Sequence, residues 1–256
     1  MVAGGVATAR GAAPDVPRAR SQGPAAGTPR RRGVTRTLAV DRYLETIYCI
    51  AGEGEPTRPS RIAHWLEVSA PTVSIGLRRL RAGGWVHTEL DHQVILTPAG
   101  RAIAEGVVRR HRLVERWLTD VLGMDWASAH AEANRLAPAT SADVLERLDR
   151  VLGEPSTCPH GQPIPGRRSP GGELIALSEL EPGAPARVRR ISEIIEHEAF
   201  QLLSELGAAG MRTGTEVTVH PLDDHVLLDL DDGLTRLRLP LAAARLIWVE
   251  AGRPRR

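Results

Sequence analysis

The sequence predicts a mainly α protein that ends in an α+β part, and three observations support this fold class. Apolar residues recur at helical spacing through most of residues 38–152. A segment dense in proline and glycine, 154–173, then interrupts the pattern, and short apolar runs typical of strands follow it. With 256 residues, of which 42% are hydrophobic, the chain can bury the cores of two or three small domains.

The first segment, residues 1–36, is rich in Ala, Gly, Pro and Arg and has no hydrophobic period. It holds seven arginines and one acidic residue, Asp15, so we expect a disordered basic tail. For its Arg30–Arg32 run, a solvated tail is favoured over a dedicated DNA-contacting arm. The whole chain has a net charge of only +2, from 33 arginines and no lysine against 31 acidic residues. Bulk charge alone therefore does not indicate a nucleic-acid partner.

The number of cysteines and the distribution of apolar residues indicate the cellular compartment of the protein. Cys49 and Cys158 are the only cysteines and lie far apart, so a disulfide framework is not indicated and a reducing environment fits best. The first residues lack a continuous apolar core, and the apolar stretch 239–249 is interrupted by Arg245. We therefore expect a cytoplasmic protein that is neither secreted nor inserted in a membrane.

The pattern in residues 37–104 predicts three helices followed by a hairpin. Apolar spacing defines the helices, Ser69 is placed to cap the third one, and Gly83-Gly84 ends it. Helix, short helix, capped helix and hairpin in this order predict a winged helix-turn-helix. The predicted elements are a helix from Leu38 to Gly52, a short helix after Pro59, a helix after Ser69, and strands at 85–89 and 93–96.

The pattern in residues 105–153 predicts a helical domain. The helix that begins at Pro98 continues to Gly123, and two more helical segments, 126–136 and 142–152, follow on either side of Pro138. These helices would lie beside the DNA-binding unit, and we predict that they form a dimer interface.

The remaining chain predicts a linker and a second domain. The proline and glycine content of residues 154–173 is typical of a linker. Residues 174–251 include a helical stretch within 194–206 and four short strands, so a small β-barrel with one helix is the simplest packing. The predicted strands are 216–219, 226–230, 234–239 and 246–249.

The helix after Ser69 is the candidate DNA-reading element. Hydroxyl residues near its start can bind base edges or phosphates, and arginines on its exposed side can neutralise phosphates or reach a guanine. A dimer would place two such helices in successive major grooves, which predicts an imperfectly palindromic operator in double-stranded DNA. An ordinary arginine-bearing surface helix is the alternative, which the neighbouring short helix and hairpin disfavour. The predicted DNA-binding residues are Arg61, Ser69, Pro71, Thr72, Ser74, Arg78 and Arg79.

The chain resembles the diphtheria toxin repressor and manganese transport regulator family of metal-dependent repressors in DRYLETIY, SRIAHWLEVSAPTVSIGLRRLRAGGWV, LTPAGR, HRLVERWLTDVLGMD and CPHGQPIPG. This resemblance covers about residues 38–166. The later segments LSELEPGAPARVRRI and LLSELGAAGMRTGTEVTV resemble the SH3-like FeoA domain found in many members. The resemblance implies a homodimeric repressor of metal-homeostasis genes, in which Fe(II) or Mn(II) acts as corepressor.

A candidate metal site follows from spacing and from the resemblance. His111 and Glu115 lie four residues apart on one helix and so share a face, and His130 lies on the next helix. Imidazole and carboxylate suit Mn, Fe, Co or Zn, although a surface histidine and an ordinary ion pair are the alternatives. The resemblance implies that these three residues and Glu196 are ligands of the family's ancillary site, with Ala199 standing where a glutamine ligand is expected.

The family's other site, which usually senses the metal, is altered in this sequence. Ligand positions implied by the resemblance hold Arg42, Asn134, Ala137 and Pro138, and of these only Asn134 offers a weak oxygen ligand. The sensing site is therefore predicted to be lost. Glu45 matches a ligand of manganese-type members, but we expect it to pair with Arg42 at i,i+3 instead.

Several alternatives stay open at this point. The main one is a family member with a degenerate sensing site that binds DNA independently of metal, with Arg42 replacing the cation, or that responds to another signal. Cys158 and His160 could bind a metal, but their loop favours a role in a turn. An enzyme is not expected, because no nucleophile motif, phosphate loop or HExxH helix occurs. A protein whose function is only protein interaction through the SH3-like domain is a further alternative, but it would not explain the exposed arginines of the helix after Ser69.

Overall fold

The structure is a computed structural model that describes residues 34–168, 171–231 and 233–252. The Arg30–Arg32 run and almost all of the predicted basic tail lie outside the described residues. The described chain forms the predicted three parts. None of its helices is both long and apolar enough to cross a membrane.

The first part is a winged helix-turn-helix, as predicted. Ile47, Ile62 and Leu77, from its three helices, are buried together in one core. Ser69 caps the third helix by accepting a hydrogen bond from the Thr72 amide at 3.4 Å. The elements are α1 (Leu38–Gly52), α2 (Pro59–Leu66), α3 (Ala70–Ala82), β1 (Val86–Thr88) and β2 (Val94–Leu96), and the two strands pair antiparallel.

Three helices form the second part: α4 (Pro98–Asp120), α5 (Trp126–Leu136) and α6 (Ala142–Val151). Pro138 separates α5 from α6 within a short 3₁₀ turn, as its missing amide proton favours. The small residues Ala129 and Ala133 are fully buried and let α5 pack closely on α4. This close packing aligns the inward faces of the two helices.

The third part is a six-stranded antiparallel sheet in the order β3-β8-β4-β5-β6-β7, with three short helices. Its core includes Trp126 of α5, which is 1% exposed, so the helical part and the sheet share one hydrophobic core. The elements are β3 (Ile175–Ala176), β4 (Pro185–Ile191), α7 (Glu193–Glu198), α8 (Phe200–Ala208), β5 (Glu216–Pro221), β6 (His225–Leu230), β7 (Arg236–Pro240), α9 (Leu241–Ala244) and β8 (Ile247–Ala251).

Three details of this part differ from the sequence expectations. The strands β3 and β4 were not predicted, because β3 has only two residues and the adjacent Arg189 and Arg190 break the apolar alternation of β4 at a β-bulge. The single helix expected within 194–206 is two helices, since Ala199 leaves the helical conformation at φ −134° and ψ 47°. The segment expected to be a linker is packed into the protein, with Cys158, His160 and Ile164 buried. Its prolines and glycines shape turns that bring these three side chains inward.

Candidate metal centre and nucleic-acid interface

The four predicted ligands come together from three helices. On α4, the i,i+4 spacing puts His111 Nε2 3.8 Å from Glu115 Oε1. Across from them, His130 Nδ1 of α5 lies 3.0 Å from Glu115 Oε1 and 3.2 Å from Glu196 Oε2 of α7. Glu115 is 1% exposed, so these groups meet in the protein interior.

Cys158 and His160 join the same group from the loop between α6 and β3. His160 Nδ1 lies 3.5 Å from Glu115 Oε1 and 3.3 Å from Glu196 Oε1. Ligand atoms of Glu115, Cys158 and His160 lie within 4.8 Å of one another, as do those of His111, Glu115 and His130. We call these six residues, His111, Glu115, His130, Cys158, His160 and Glu196, the central cluster.

The turn role expected for Cys158 and His160 is therefore only part of their contribution. The turn exists, because the Gly161 amide donates to the Cys158 carbonyl at 3.0 Å. Gly161 has φ +86°, and a Cβ there would lie 2.0 Å from the Arg189 carbonyl oxygen. The close approach holds the loop against β4 with its side chains inward. In the sequence, the signal for this role is that two potential metal ligands, Cys158 and His160, lie only two residues apart.

The electrostatics of the central cluster combine two carboxylates with three imidazoles. Burial alone would raise the pKa of Glu115, but His160, His111 and His130 hold it well below its ordinary value. Burial likewise opposes protonation of His130, but Glu115 and Glu196 raise its pKa well above the ordinary value. Positive charge on His130 and His160 therefore favours the ionised form of Glu115.

A divalent metal ion fits this donor set. Among the described residues, His160 Nε2, His160 Nδ1 and Glu196 Oε1 are buried and make no hydrogen bond, although the last two atoms lie 3.3 Å apart. Buried polar atoms are costly unless paired, so such unpartnered atoms in one cluster point to a missing ligand. Imidazole, carboxylate and thiolate together suit Mn, Fe, Co or Zn.

The altered sensing positions line a cavity of about 680 Å³ that borders the central cluster. The expected ion pair between Arg42 and Glu45 is not formed among the described residues: the Arg42 side chain is exposed, whereas burial raises the pKa of Glu45. Arg42 lines this cavity but makes no ion pair with any described carboxylate, as replacing a cation would require. Ala137 and Pro138 offer no ligand atoms, and Asn134 lines the cavity.

The predicted DNA-binding residues of α3 share one outward face. The side chains of Ser74, Arg78 and Arg79 make no hydrogen bond or ion pair within the described chain, so they are available to a partner. All six predicted α3 residues are exposed, namely Ser69, Pro71, Thr72, Ser74, Arg78 and Arg79.

Arg61, the seventh predicted DNA-binding residue, is engaged within the protein. Its guanidinium pairs with Glu55 and with Glu198 of α7, and it lies 5.1 Å from the Trp65 ring centroid. A phosphate would have to compete with these carboxylates for Arg61.

Three protein-family models match the chain. Residues 37–94 match "Iron dependent repressor, N-terminal DNA binding domain" and residues 97–166 match "Iron dependent repressor, metal binding and dimerisation domain". Residues 175–251 match the FeoA domain. The three matches follow the three parts of the fold.

Curated relatives align over most of the chain. The iron-dependent repressor IdeR of Mycobacterium tuberculosis is 37% identical over 221 residues, which is 82% of this chain and 96% of that protein. The diphtheria toxin repressor of Corynebacterium efficiens is 38% identical over 216 residues, 80% of this chain and 92% of that protein.

Solved structures share the fold. A manganese-dependent transcriptional repressor in complex with manganese superposes with a TM-score of 0.72 at 32% identity, covering 83% of this chain and all of that one. ScaR with bound Zn²⁺ superposes with a TM-score of 0.67 at 27% identity, covering 82% of this chain and 98% of that one.

Proposed function

This chain belongs to the iron-dependent repressor family, and from that premise we propose that it represses transcription as a DNA-binding homodimer controlled by Fe(II) or Mn(II). It is a DNA-binding regulator and not an enzyme. We further propose that the metal is held by His111, Glu115, His130 and Glu196, with Cys158 and His160 as additional ligands.

The observation that carries the metal proposal is the central cluster itself. It gathers side chains from α4, α5, α7 and the loop after α6, and three of its buried polar atoms make no hydrogen bond among the described residues. A bound divalent ion would supply positive charge between Glu115 and Glu196, and it could take one ring nitrogen of His160 and Glu196 Oε1 as ligands. The cluster would then fasten the C-terminal domain to α4.

Residues at the start of α4 connect this centre to the DNA-binding surface. The Thr97 hydroxyl donates to the Gly84 carbonyl at 2.8 Å, and the Thr97 amide donates to the Trp85 carbonyl at 2.9 Å. A Cβ on Gly100 would lie 2.0 Å from the Trp85 oxygen. Trp85 directly precedes the β1–β2 hairpin, which is the wing of the winged helix-turn-helix, so α4 is in close contact with the start of the wing. Because Gly84 and Trp85 directly follow α3, the position of α4 constrains α3. Metal binding on α4 would favour one placement of the two α3 helices in a dimer.

A metal-independent regulator is not favoured. The relatives are named as iron-dependent or manganese-dependent repressors. In this chain the sensing positions are altered, but the central cluster brings together six side chains that can each donate a ligand atom. We therefore propose that the central cluster carries the metal response here.

A DNA-binding titration tests the proposal. The purified protein is stripped with chelator, and its affinity for a duplex selected from random sequences is measured by fluorescence anisotropy while Mn(II) or Fe(II) is added. We expect the affinity to rise by at least about tenfold, a usual size for coupling between two sites. Glu115→Gln removes a charged ligand and should abolish most of this rise.

Glu132→Gln is the matched control, because Glu132 is a partly exposed residue of α5 whose single ion pair among the described residues is with Arg135. It should respond to metal like the unchanged protein. An affinity that is the same with chelator and with either metal would contradict the metal proposal while leaving DNA binding intact.

We also propose a palindromic operator and a cytoplasmic location. The family match includes a dimerisation domain, and two outward α3 helices related by a two-fold axis would meet two inverted half-sites. The cytoplasm is where a bacterial-type repressor meets DNA. Light scattering for the mass in solution, and footprinting on the selected duplex, test the dimer and the symmetry of its site.

A further inference from the structure

Ile75 is an apolar side chain on the DNA-facing surface of α3. It is 60% exposed, whereas Val73, Leu77 and Leu80 of the same helix are buried in the core. Single exposed apolar residues are common on protein surfaces and by themselves need no explanation. Ile75 differs in its place, since Thr72 lies one turn before it and Arg78 and Arg79 lie one turn after it on the same exposed face.

The rotation of α3 that exposes Ile75 is fixed by contacts on the opposite side of the helix. The Tyr43 hydroxyl of α1 donates to the Thr72 carbonyl at 3.3 Å. A Cβ on Gly76 would lie 2.6 Å from Tyr43 Cζ, so only glycine lets α3 approach this ring so closely. With Tyr43 on one side and Leu77 in the core, Ile75 cannot turn inward without moving the helix.

The chemistry of the major groove limits what Ile75 can recognise. Its side chain has no donor or acceptor, so it would desolvate the polar edge of guanine, cytosine or adenine without replacing the lost hydrogen bonds. The C5 methyl of thymine is the one apolar group that an unmodified base presents in that groove. Ile75 is also in the N-terminal half of α3, about 9 Å along the axis from Ser69, where recognition helices meet base edges.

We propose that Ile75 is a specificity-determining residue that packs against a thymine methyl in each half-site. This inference rests on the proposed function, in which α3 enters the major groove. The nearby Arg78 and Arg79 then supply phosphate or guanine contacts, and Ile75 sets the preference at one base pair.

Deoxyuridine substitution isolates the methyl group. A duplex selected with the unchanged, metal-loaded protein is remade with each thymine in turn replaced by deoxyuridine, which removes one methyl and keeps every hydrogen-bonding group. We expect one position per half-site where affinity falls about fourfold, the effect of one buried methyl, and about sixteenfold when both half-sites are changed. For Ile75→Ala the same replacements should have no effect at that position.

Leu222→Ala is the matched control, because Leu222 is another exposed apolar residue, 47% exposed, in the C-terminal domain. It should keep the full sensitivity to deoxyuridine. Circular dichroism of each variant verifies folding, which a truncation at an exposed position should not disturb.

Two results would overturn the inference, and they are distinguishable. If Ile75→Ala keeps the same loss at the same thymine, another residue contacts that methyl and the repressor function stands. If the unchanged protein selects no sequence with either metal, the proposed function fails and the role of Ile75 fails with it.

Discussion

Arg112 of α4 and Glu193 of α7 form a buried ion pair that joins the helical domain to the C-terminal domain. Their side chains are 6% and 9% exposed, and the Arg112 guanidinium also donates to the Pro163 carbonyl. On the other side, the Glu193 amide donates to the Glu53 carboxylate at the end of α1, at 3.0 Å. These contacts need no metal, so the C-terminal domain is attached beside the central cluster before any ion binds.

Breaking the Arg112–Glu193 pair should destabilise the protein strongly. Arg112→Met leaves a buried carboxylate without its cation, and losses of about 3–5 kcal/mol are usual for this change. Urea unfolding in chelator measures the free energy of unfolding. The double variant Arg112→Met with Glu193→Leu should lose less than the sum of the two single changes. Strict additivity would mean that the two side chains do not interact.

The same pair predicts a pH dependence. Burial opposes ionisation of Glu193, but Arg112 holds the pKa of Glu193 below its ordinary value of 4.5. A carboxyl with a lowered pKa contributes stability above its unfolded pKa, and this contribution is lost as pH falls through the folded pKa. The free energy of unfolding of the unchanged protein should fall more steeply below about pH 4.5 than that of the double variant. Parallel curves would contradict this assignment.

Cys158 should influence which metal the central cluster prefers. Thiolate is a softer ligand than carboxylate, so Cys158→Ser should weaken Zn(II) binding by at least about tenfold and Mn(II) binding much less. Isothermal titration measures both affinities. Cys49→Ser is the control, since Cys49 is also buried but is not a member of the central cluster. Equal losses for both metals would exclude Cys158 as a selective ligand.

Glu198 should restrain Arg61 from binding DNA. Glu198→Gln removes one of the two carboxylates that pair with Arg61, so the guanidinium becomes available to a phosphate. We expect DNA affinity to rise about threefold or more, and the slope of log affinity against log salt to become steeper by about one. Glu205→Gln on α8, an exposed carboxylate that accepts a hydrogen bond from Gln201 and forms no ion pair with Arg61, should change neither. An unchanged salt slope in Glu198→Gln would show that Arg61 does not reach the DNA.

The contact between α4 and the wing should tolerate no side chain at Gly100. Gly100→Ala places a Cβ 2.0 Å from the Trp85 oxygen, and such overpacking costs about 1–3 kcal/mol. Gly106→Ala, later in α4, has nothing within 4 Å of the new Cβ and should stabilise by up to about 1 kcal/mol through helix propensity. Thermal unfolding compares the two. A neutral Gly100→Ala would mean that α4 shifts freely against the wing, which would weaken the proposed coupling.

Local chemistry was enough to predict the N-terminal half. The Ser69 cap, Pro98 at the start of α4 and the glycines after α3 act over a few residues, so the sequence alone locates those helix ends. The strand β4 was missed for the opposite reason. Its adjacent Arg189 and Arg190 interrupt the alternation, and only pairing with β5 and β8 makes the segment a strand.

The sequence by itself determined the order of the elements from α1 to α6, the outward arginines of α3 and the shared face of His111 and Glu115. Each of these depends on the period of a helix, which is set within one or two turns. Only the tertiary structure decided that Cys158 and His160 lie beside Glu115, and that Arg61 pairs with Glu198. Both contacts join segments more than 40 residues apart in sequence, and no local rule fixes the distance between such segments until the core has packed.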